Sequence, residues 1–137
     1  MKVSTRFSLR VSVVSRRSAG QILIEVDGEL DLLTAPYLRG SLIRAINDRA
    51  EPEVFLDLSR VTFVDVAGWD PISSAGEMLA ERGARLVIVA ASARVRRLME
   101  VVEIGLGVQV KAAGEKSGAW NGPSGPPEEV RGCYYLG

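Results

Sequence analysis

Near the start of the chain, a run in which apolar and polar residues alternate with a period of two is followed by a second apolar run, which predicts a pair of strands. The apolar members of the first run are Phe7, Leu9, Val11 and Val13. A turn over residues 16–20 leads to a second apolar run at 22–26, which ends at Asp27 and Gly28. Because a short turn joins the two runs, we expect them to pair as antiparallel neighbours.

After these strands, apolar residues recur with the spacing of amphipathic helices, and buried strands separate the helices. Helix one is predicted from Thr34, whose hydroxyl can cap free N–H groups, to about residue 47. Helix two is predicted from about Gly68 to residue 82 with Pro71 in its first turn, and helix three begins at Ser92. Three further strands are predicted: one at residues 54–58 that continues through 61–64, one at 86–90 and one at 108–110.

This order of elements predicts an α/β fold. We expect a mixed four- or five-stranded sheet with its helices mainly on one face, formed by residues 1–110. Glycine and proline interrupt every periodicity after that point, so residues 111–137 are predicted to be a flexible C-terminal tail.

Composition narrows the chemistry that the domain can perform. The 137 residues include no histidine and one cysteine, Cys133. Ser-His-Asp and Cys-His catalysis, His-ligated metals and multi-Cys zinc sites are therefore excluded. Together with the lack of a glycine-rich phosphate loop, this predicts a protein that is not an enzyme and that uses neither a metal nor another cofactor.

The same composition predicts where the protein acts. A single cysteine fits a reducing compartment, and the longest apolar run, residues 86–91, is far shorter than the ~20 residues of a membrane span. We therefore expect a cytoplasmic protein without membrane insertion. The 17 Lys and Arg residues balance 17 Asp and Glu residues, and we expect no nucleic-acid partner.

Charge is nevertheless segregated along the chain. Residues 21–81 hold 12 acids against four arginines, whereas residues 82–97 hold five arginines and no acid. A partner that meets the middle of the chain would thus experience a different potential from one that meets the later segment. The simpler interpretation is solvated charge on an ordinary surface.

Three segments join a strand end to a helix start, and in an open α/β sheet such junctions gather at the carboxyl edge. Their sequences are VDGELDLLTAPYLRGSL, VFLDLSRVTFVDVAGW and GARLVIVAASARVRRLMEVVEI. In this order they resemble the STAS domain family, the fold of bacterial anti-sigma-factor antagonists, over roughly residues 7–110. The resemblance covers the whole predicted domain.

The junction before helix two departs from the pattern of the phosphoregulated members. In those members it reads Asp-Ser-Ser-Gly, and an anti-sigma kinase phosphorylates the second serine. Here it reads Asp65-Val66-Ala67-Gly68, so the phosphoacceptor position is occupied by Ala67, which has no hydroxyl. The resemblance therefore implies an antagonist that is not phosphorylated at the usual site.

The resemblance also implies a partner and a binding edge. The expected partner is an anti-sigma factor of the GHKL-kinase type, whose capture frees a sigma factor for transcription by partner switching. We expect the partner to contact the edge formed by Asp31, Thr34, Asp65, Val66, Ala67, Gly68, Trp69 and Ser92. The alternative is a cytoplasmic STAS subunit of an ABC-type phospholipid transport system.

Several of these residues also have a structural interpretation. Asp65 is expected mainly to cap helix two, and partner contact would be its secondary role. Trp69 is either an exposed contact anchor or a core residue.

Asp57, inside an apolar strand, is interpreted as a hydrogen-bonded structural carboxylate. The acids that alternate along the second strand are interpreted as solvated charges in preference to a divalent-ion site; they are Glu25, Asp27, Glu29 and Asp31.

Overall fold

The structure is a computed structural model that describes residues 9–16, 21–47, 53–102, 108–110 and 130–135. In chain order, the strands of these ranges are β1 (Leu9–Arg16), β2 (Gln21–Leu30), β3 (Glu53–Val64), β4 (Arg85–Ala91), β5 (Val108–Val110) and β6 (Val130–Tyr135). The helices are α1 (Ala35–Asn47), α2 (Val66–Glu81) and α3 (Ala93–Met99). Phe7 and most of the predicted turn lie outside the described residues.

Within these ranges the strands form one mixed sheet in the order β5-β4-β3-β2-β1-β6. Strands β2, β3, β4 and β5 run parallel, and β1 is antiparallel to both β2 and β6. Two parallel strands can be joined only by a crossover connection, and here the helices provide these connections. The predicted α/β class, the mixed sheet and the antiparallel first pair are confirmed.

The sixth strand was not expected. Residues Val130–Tyr135 were predicted to belong to a flexible tail, and instead their backbone pairs with β1 from Ser15 to Arg10. A strand at the edge of a sheet presents unpaired N–H and C=O groups, which another segment can satisfy by pairing. The predicted domain boundary at residue 110 stays a prediction, and residues 111–129 lie outside the described residues.

The main core lies between the sheet and the helices. It contains Leu38 and Ile46 from α1, Ile72 and Leu79 from α2, and Val95 from α3, all packed on the same set of strand residues. A second cluster, on the opposite face of the sheet, consists of Val14, Leu23, Phe55 and Val87. Adjacent residues of β3 are therefore buried on opposite faces of the sheet, as the continuous apolar sequence of this strand predicted.

Helix α2 begins two residues earlier than predicted, at Val66 in place of Gly68. The reason is that Asp65 caps it, so the first turn includes the whole Val66-Ala67-Gly68 segment. Pro71 consequently lies in the second turn and not in the first, where it removes one backbone hydrogen bond of the helix. Neither α2 nor any other helix in the described ranges combines the length and the apolar character needed to cross a bilayer.

Candidate functional site

The parallel strands bring the three strand-to-helix junctions to one edge of the sheet. Leu30 and Val64 pair in the last position of the β2–β3 ladder. The Asp65 N–H donates to the Leu30 carbonyl oxygen at 3.2 Å, and the Ser92 N–H donates to the Leu58 carbonyl oxygen at 3.1 Å. These bonds tie the starts of α2 and α3 to the strands beside them on the carboxyl side of the sheet, α2 at the end of β2 and α3 at Leu58, six residues before the end of β3.

The β2–α1 loop at this edge is held by reciprocal hydrogen bonds between Asp31 and Thr34. One Asp31 carboxylate oxygen accepts from the N–H groups of Leu33 and Thr34, each at 3.0 Å. The buried Thr34 hydroxyl accepts from the Asp31 N–H at 3.0 Å and donates to the Glu29 carbonyl oxygen at 2.8 Å. The Thr34 hydroxyl therefore closes the loop and does not cap α1 as we predicted, because the N–H groups of Tyr37 and Leu38 donate to the Thr34 backbone carbonyl oxygen, each at 3.0 Å.

This closed loop turns two leucines towards solvent. Leu32 is 73% exposed and Leu33 is 68% exposed. Both lie between the paired polar residues Asp31 and Thr34, which fix the loop backbone in a conformation that keeps the leucines out of the core. Neither leucine was among the residues predicted from the sequence, although two adjacent leucines outside the helical period, just before a helix start, were a usable signal.

At the β3–α2 junction, Asp65 caps the helix as predicted. Its carboxylate accepts from the Gly68 N–H at 2.9 Å, and its backbone is extended. Gly68 is buried with its Cα against the neighbouring strand: a Cβ atom there would lie 2.2 Å from the Leu30 carbonyl oxygen. The junction therefore needs a glycine for close approach of α2 to β2, and Gly68 offers a partner no side chain.

Trp69, the residue after Gly68 in α2, has its side chain in the core. Its side chain is 3% exposed and packs within the main apolar cluster. The indole Nε1 has no hydrogen-bond partner among the residues that the structure describes. Of the two interpretations from the sequence, the core residue is therefore confirmed and the exposed contact anchor is wrong.

Val66 and Ala67 remain as the accessible part of the junction, and they line a shallow groove between α1 and α2. Val66 is 65% exposed and Ala67 is half-buried. The groove has a volume of about 430 Å³ and is lined by Leu32, Ala35, Pro36, Arg39, Val66, Ala67 and Asp70. Most of this lining is apolar, so the groove suits an aliphatic or aromatic side chain of a partner.

One ion pair crosses the groove wall. The Arg39 guanidinium lies 2.8 Å from the Asp70 carboxylate and also donates to the Ser74 hydroxyl at 3.2 Å. It joins α1 to α2 and places one charge of each sign beside the apolar lining. Because both side chains are well exposed, the pair adds little to the stability of the fold.

A model of the STAS domain matches residues 12–112 of the chain. The chain belongs to the STAS domain family.

An anti-sigma factor antagonist from Mycobacterium paratuberculosis is 26% identical, with a TM-score of 0.57 over 67% of this chain and 76% of that one. The anti-sigma factor antagonist SpoIIAA in its unphosphorylated form is 19% identical, with a TM-score of 0.57 over 73% of this chain and 87% of that one. The Bacillus cell fate determinant SpoIIAA in its phosphorylated form is 18% identical, with a TM-score of 0.53 over 73% and 90% of the two chains.

In this STAS domain, the eight predicted site residues come together at one edge but do not share one role. Thr34, Gly68 and Trp69 are buried, and therefore cannot form direct contacts through an exposed side chain. The remaining five are at least partly accessible; they are Asp31, Asp65, Val66, Ala67 and Ser92. Among these, the carboxylates of Asp31 and Asp65 already accept backbone hydrogen bonds at the helix starts.

Ser92 is likewise a structural residue of the STAS edge. It is the N-cap of α3, where its hydroxyl accepts from the Val95 N–H at 3.3 Å. Close to it the edge carries a further exposed aromatic residue that was not predicted from the sequence. This residue is Phe63, which is 38% exposed and lies under Arg94 with 6.0 Å between the guanidinium carbon and the ring centroid.

Among the acidic residues of the STAS domain, Asp57 serves local structure. One Asp57 carboxylate oxygen accepts from the Ser59 N–H at 2.9 Å, at an irregular point of the β3 ladder, which matches its structural interpretation. Across the described ranges, no three His, Cys, Asp or Glu side chains come together in a way that could hold a metal ion. What the edge offers to a partner is therefore apolar surface with a polar rim.

Proposed function

We propose that this protein is an anti-sigma-factor antagonist that acts by binding alone. It would engage an anti-sigma factor of the GHKL-kinase type through the carboxyl edge and so release a sigma factor for transcription. The family supports this, as does the 26% identity to an anti-sigma factor antagonist from Mycobacterium paratuberculosis. The proposal takes the protein to be a cytoplasmic binding module without enzymatic activity.

The observation that carries the proposal is the exposed apolar surface around the groove. Leu32, Leu33 and Val66 are each more than 60% exposed and come from two different junctions of the same edge. Single exposed apolar residues are normal on a soluble protein, whereas a cluster rimmed by polar groups is typical of an interaction site. The groove beside Val66 and Ala67 would accept an apolar side chain of the partner as an anchor.

The missing hydroxyl at Ala67 gives this antagonist its mode of control. A phosphate at this position would add about 1.5 to 2 negative charges to the binding edge and would oppose a partner's approach. Because Ala67 cannot accept it, the protein would be always available, and its activity would be set by its amount or by competition between partners.

Val66→Asp tests the binding edge directly. We expect at least about a thirtyfold loss of affinity for the anti-sigma factor, because an unpaired carboxylate would have to be desolvated in an apolar contact. The melting temperature should stay close to that of the wild type, since Val66 is 65% exposed. Isothermal titration calorimetry with the anti-sigma factor of the same genome measures the affinity.

Val110→Asp is the matched control, because Val110 is 46% exposed, lies on the edge strand β5 and is not part of the groove lining. The control should bind like the wild type. Equal binding by Val66→Asp and the wild type would contradict the proposed edge. If the wild type binds no anti-sigma factor but co-purifies with the permease or ATPase of a phospholipid transporter, the antagonist proposal fails and the transporter alternative replaces it.

Phosphorylation is the second test. After incubation with ATP and the anti-sigma kinase, we expect the intact mass of the wild type to be unchanged, because Ala67 has no acceptor oxygen. The double variant Val66→Ser/Ala67→Ser restores Asp-Ser-Ser-Gly and is the positive control, which should gain one phosphate and then bind the partner less well. A phosphate adduct on the wild type, mapped to Ser73 or Ser74, would contradict the expected absence of a switch.

A further inference from the structure

The arginine-rich segment of the sequence divides between two ends of the structure. Arg94, Arg96 and Arg97 are exposed on α3, which follows the carboxyl end of β4. Arg85 lies at the amino end of β4, at the opposite edge, and forms an ion pair with Glu53. The cationic part of the carboxyl edge is therefore concentrated on α3, and the proposed apolar contact makes no use of it.

One arginine of this cationic surface packs on an exposed aromatic ring. The Arg94 guanidinium lies over the ring of Phe63, and this cation–π contact keeps the positive charge at the surface next to the apolar ring. Arg97 is exposed one helical turn after Arg94. We call Phe63, Arg94 and Arg97 the basic aromatic face.

The basic aromatic face adjoins the apolar groove. Phe63 precedes Val66 by three residues, and a segment of three residues spans at most about 11 Å. An ordinary interface covers about 800 Å² of each partner, so a partner that covers Val66 is large enough to reach Phe63 and Arg94 as well.

Charge of the opposite sign lies immediately beside this face. Glu29 is exposed and pairs with Phe63 in the β2–β3 ladder, and Asp31 follows at the end of β2. Neighbouring strands are only about 4.8 Å apart, so Glu29 lies directly beside the residue whose ring Arg94 covers. An extended polyanion, such as a membrane surface or a nucleic-acid backbone, would be repelled by these acids, whereas a short acidic protein segment fits on α3 alone.

From this we infer that the basic aromatic face binds an acidic segment of the protein partner and thereby fixes the partner's orientation over the groove. The inference rests on the proposed function for the identity of the partner. Arginine suits the role because its planar guanidinium binds a carboxylate through two hydrogen bonds. With acidic residues on one side of the edge and arginines on the other, only one orientation of a partner with segregated charge matches both.

A peptide titration tests the inference without the anti-sigma factor. The probe is hexaglutamate, added to the ¹⁵N-labelled full chain, and hexaglutamine is the uncharged control. We expect hexaglutamate to shift the backbone amide resonances of Phe63, Arg94 and Arg97, and added salt to weaken these shifts. Hexaglutamine should leave the same resonances in place.

Two variants with the same change in net charge separate a local effect from a global one. Arg94→Gln/Arg97→Gln and Arg85→Glu each lower the net charge by the same amount. We expect the first to weaken hexaglutamate binding at least about tenfold and Arg85→Glu to leave it close to that of the wild type. Both should keep the far-ultraviolet circular dichroism spectrum of the wild type, because the substituted side chains are exposed.

The inference is overturned if hexaglutamate does not shift these amide resonances, or if both variants weaken hexaglutamate binding equally. It is also overturned if anionic phospholipid vesicles or duplex DNA bind the same face more tightly than hexaglutamate does. Its failure is distinguishable from failure of the proposed function. If only this inference fails, Val66→Asp still weakens binding of the anti-sigma factor. If only the proposed function fails, hexaglutamate still binds in a manner that depends on Arg94 and Arg97.

Discussion

Gly68→Ala is expected to destabilise the fold by about 3 kcal/mol, at the upper end of what an overpacked site usually costs. The added Cβ would lie 2.2 Å from the Leu30 carbonyl oxygen and 2.3 Å from its carbon, far inside van der Waals contact. Because these atoms belong to the backbone of a central strand, they cannot move aside as the end of a long side chain could. Urea denaturation followed by circular dichroism measures the loss in the free energy of unfolding.

Gly40→Ala is the control for this prediction, because Gly40 is also helical but a Cβ atom there would meet nothing within 4 Å. Alanine has the higher helix propensity, so this variant should be more stable than the wild type by up to about 1 kcal/mol. Equal unfolding midpoints for Gly68→Ala and the wild type would show that α2 does not approach β2 this closely.

Trp69→Ala is the second substitution with a large expected effect, a loss of about 3 to 5 kcal/mol of stability. The indole is 3% exposed and fills space in the main core, so truncation to a methyl group leaves a cavity. The melting temperature should fall accordingly, as measured by differential scanning calorimetry. A variant that keeps the wild-type melting temperature but loses affinity for the partner would instead identify Trp69 as an exposed anchor.

Trp69→Phe is the matched variant for the same position. It keeps an aromatic ring in the core and removes the buried Nε1–H group, which has no hydrogen-bond partner among the described residues. An unsatisfied buried donor costs about 1 to 3 kcal/mol, so its removal should offset part of the lost packing. We therefore expect Trp69→Phe to be considerably more stable than Trp69→Ala.

The binding edge was only partly predictable, and the errors have identifiable causes. Asp65 was predicted as a helix cap from its position before an apolar run, and the structure confirms this. The start of α2, however, lies two residues before the predicted one. Trp69 lies three residues before Ile72, on the same buried face of the helix, so packing against the sheet decides for the core residue between the two interpretations that the sequence left open.

The β2–α1 loop shows a second kind of error. Thr34 was predicted to cap α1, because a threonine before Ala-Pro is a common helix start. In the structure its hydroxyl bonds to Asp31 and Glu29 within the loop, and Leu32 and Leu33 become exposed as a result. A hydroxyl can satisfy either set of backbone groups, and only the folded loop decides between them.

Between residues 9 and 110, the sequence by itself determined the elements and their order. Strand alternation, helical periodicity and the junction segments depend on neighbours a few residues apart, and they were sufficient to predict the mixed sheet, its helices and the gathering of junctions at one edge. Ala67 is equally a property of the sequence alone, because an alanine carries no hydroxyl in any fold.

Only the tertiary structure decided what this edge presents to a partner. The pairing of β6 with β1 joins segments more than 100 residues apart, the approach of Gly68 to Leu30 joins the start of α2 to the end of β2, and Arg94 reaches Phe63 from another element. Each depends on distances between elements that no local pattern encodes. Exposure of a side chain is likewise a property of everything packed around it, which is why Val66 and Trp69, three residues apart, have opposite environments.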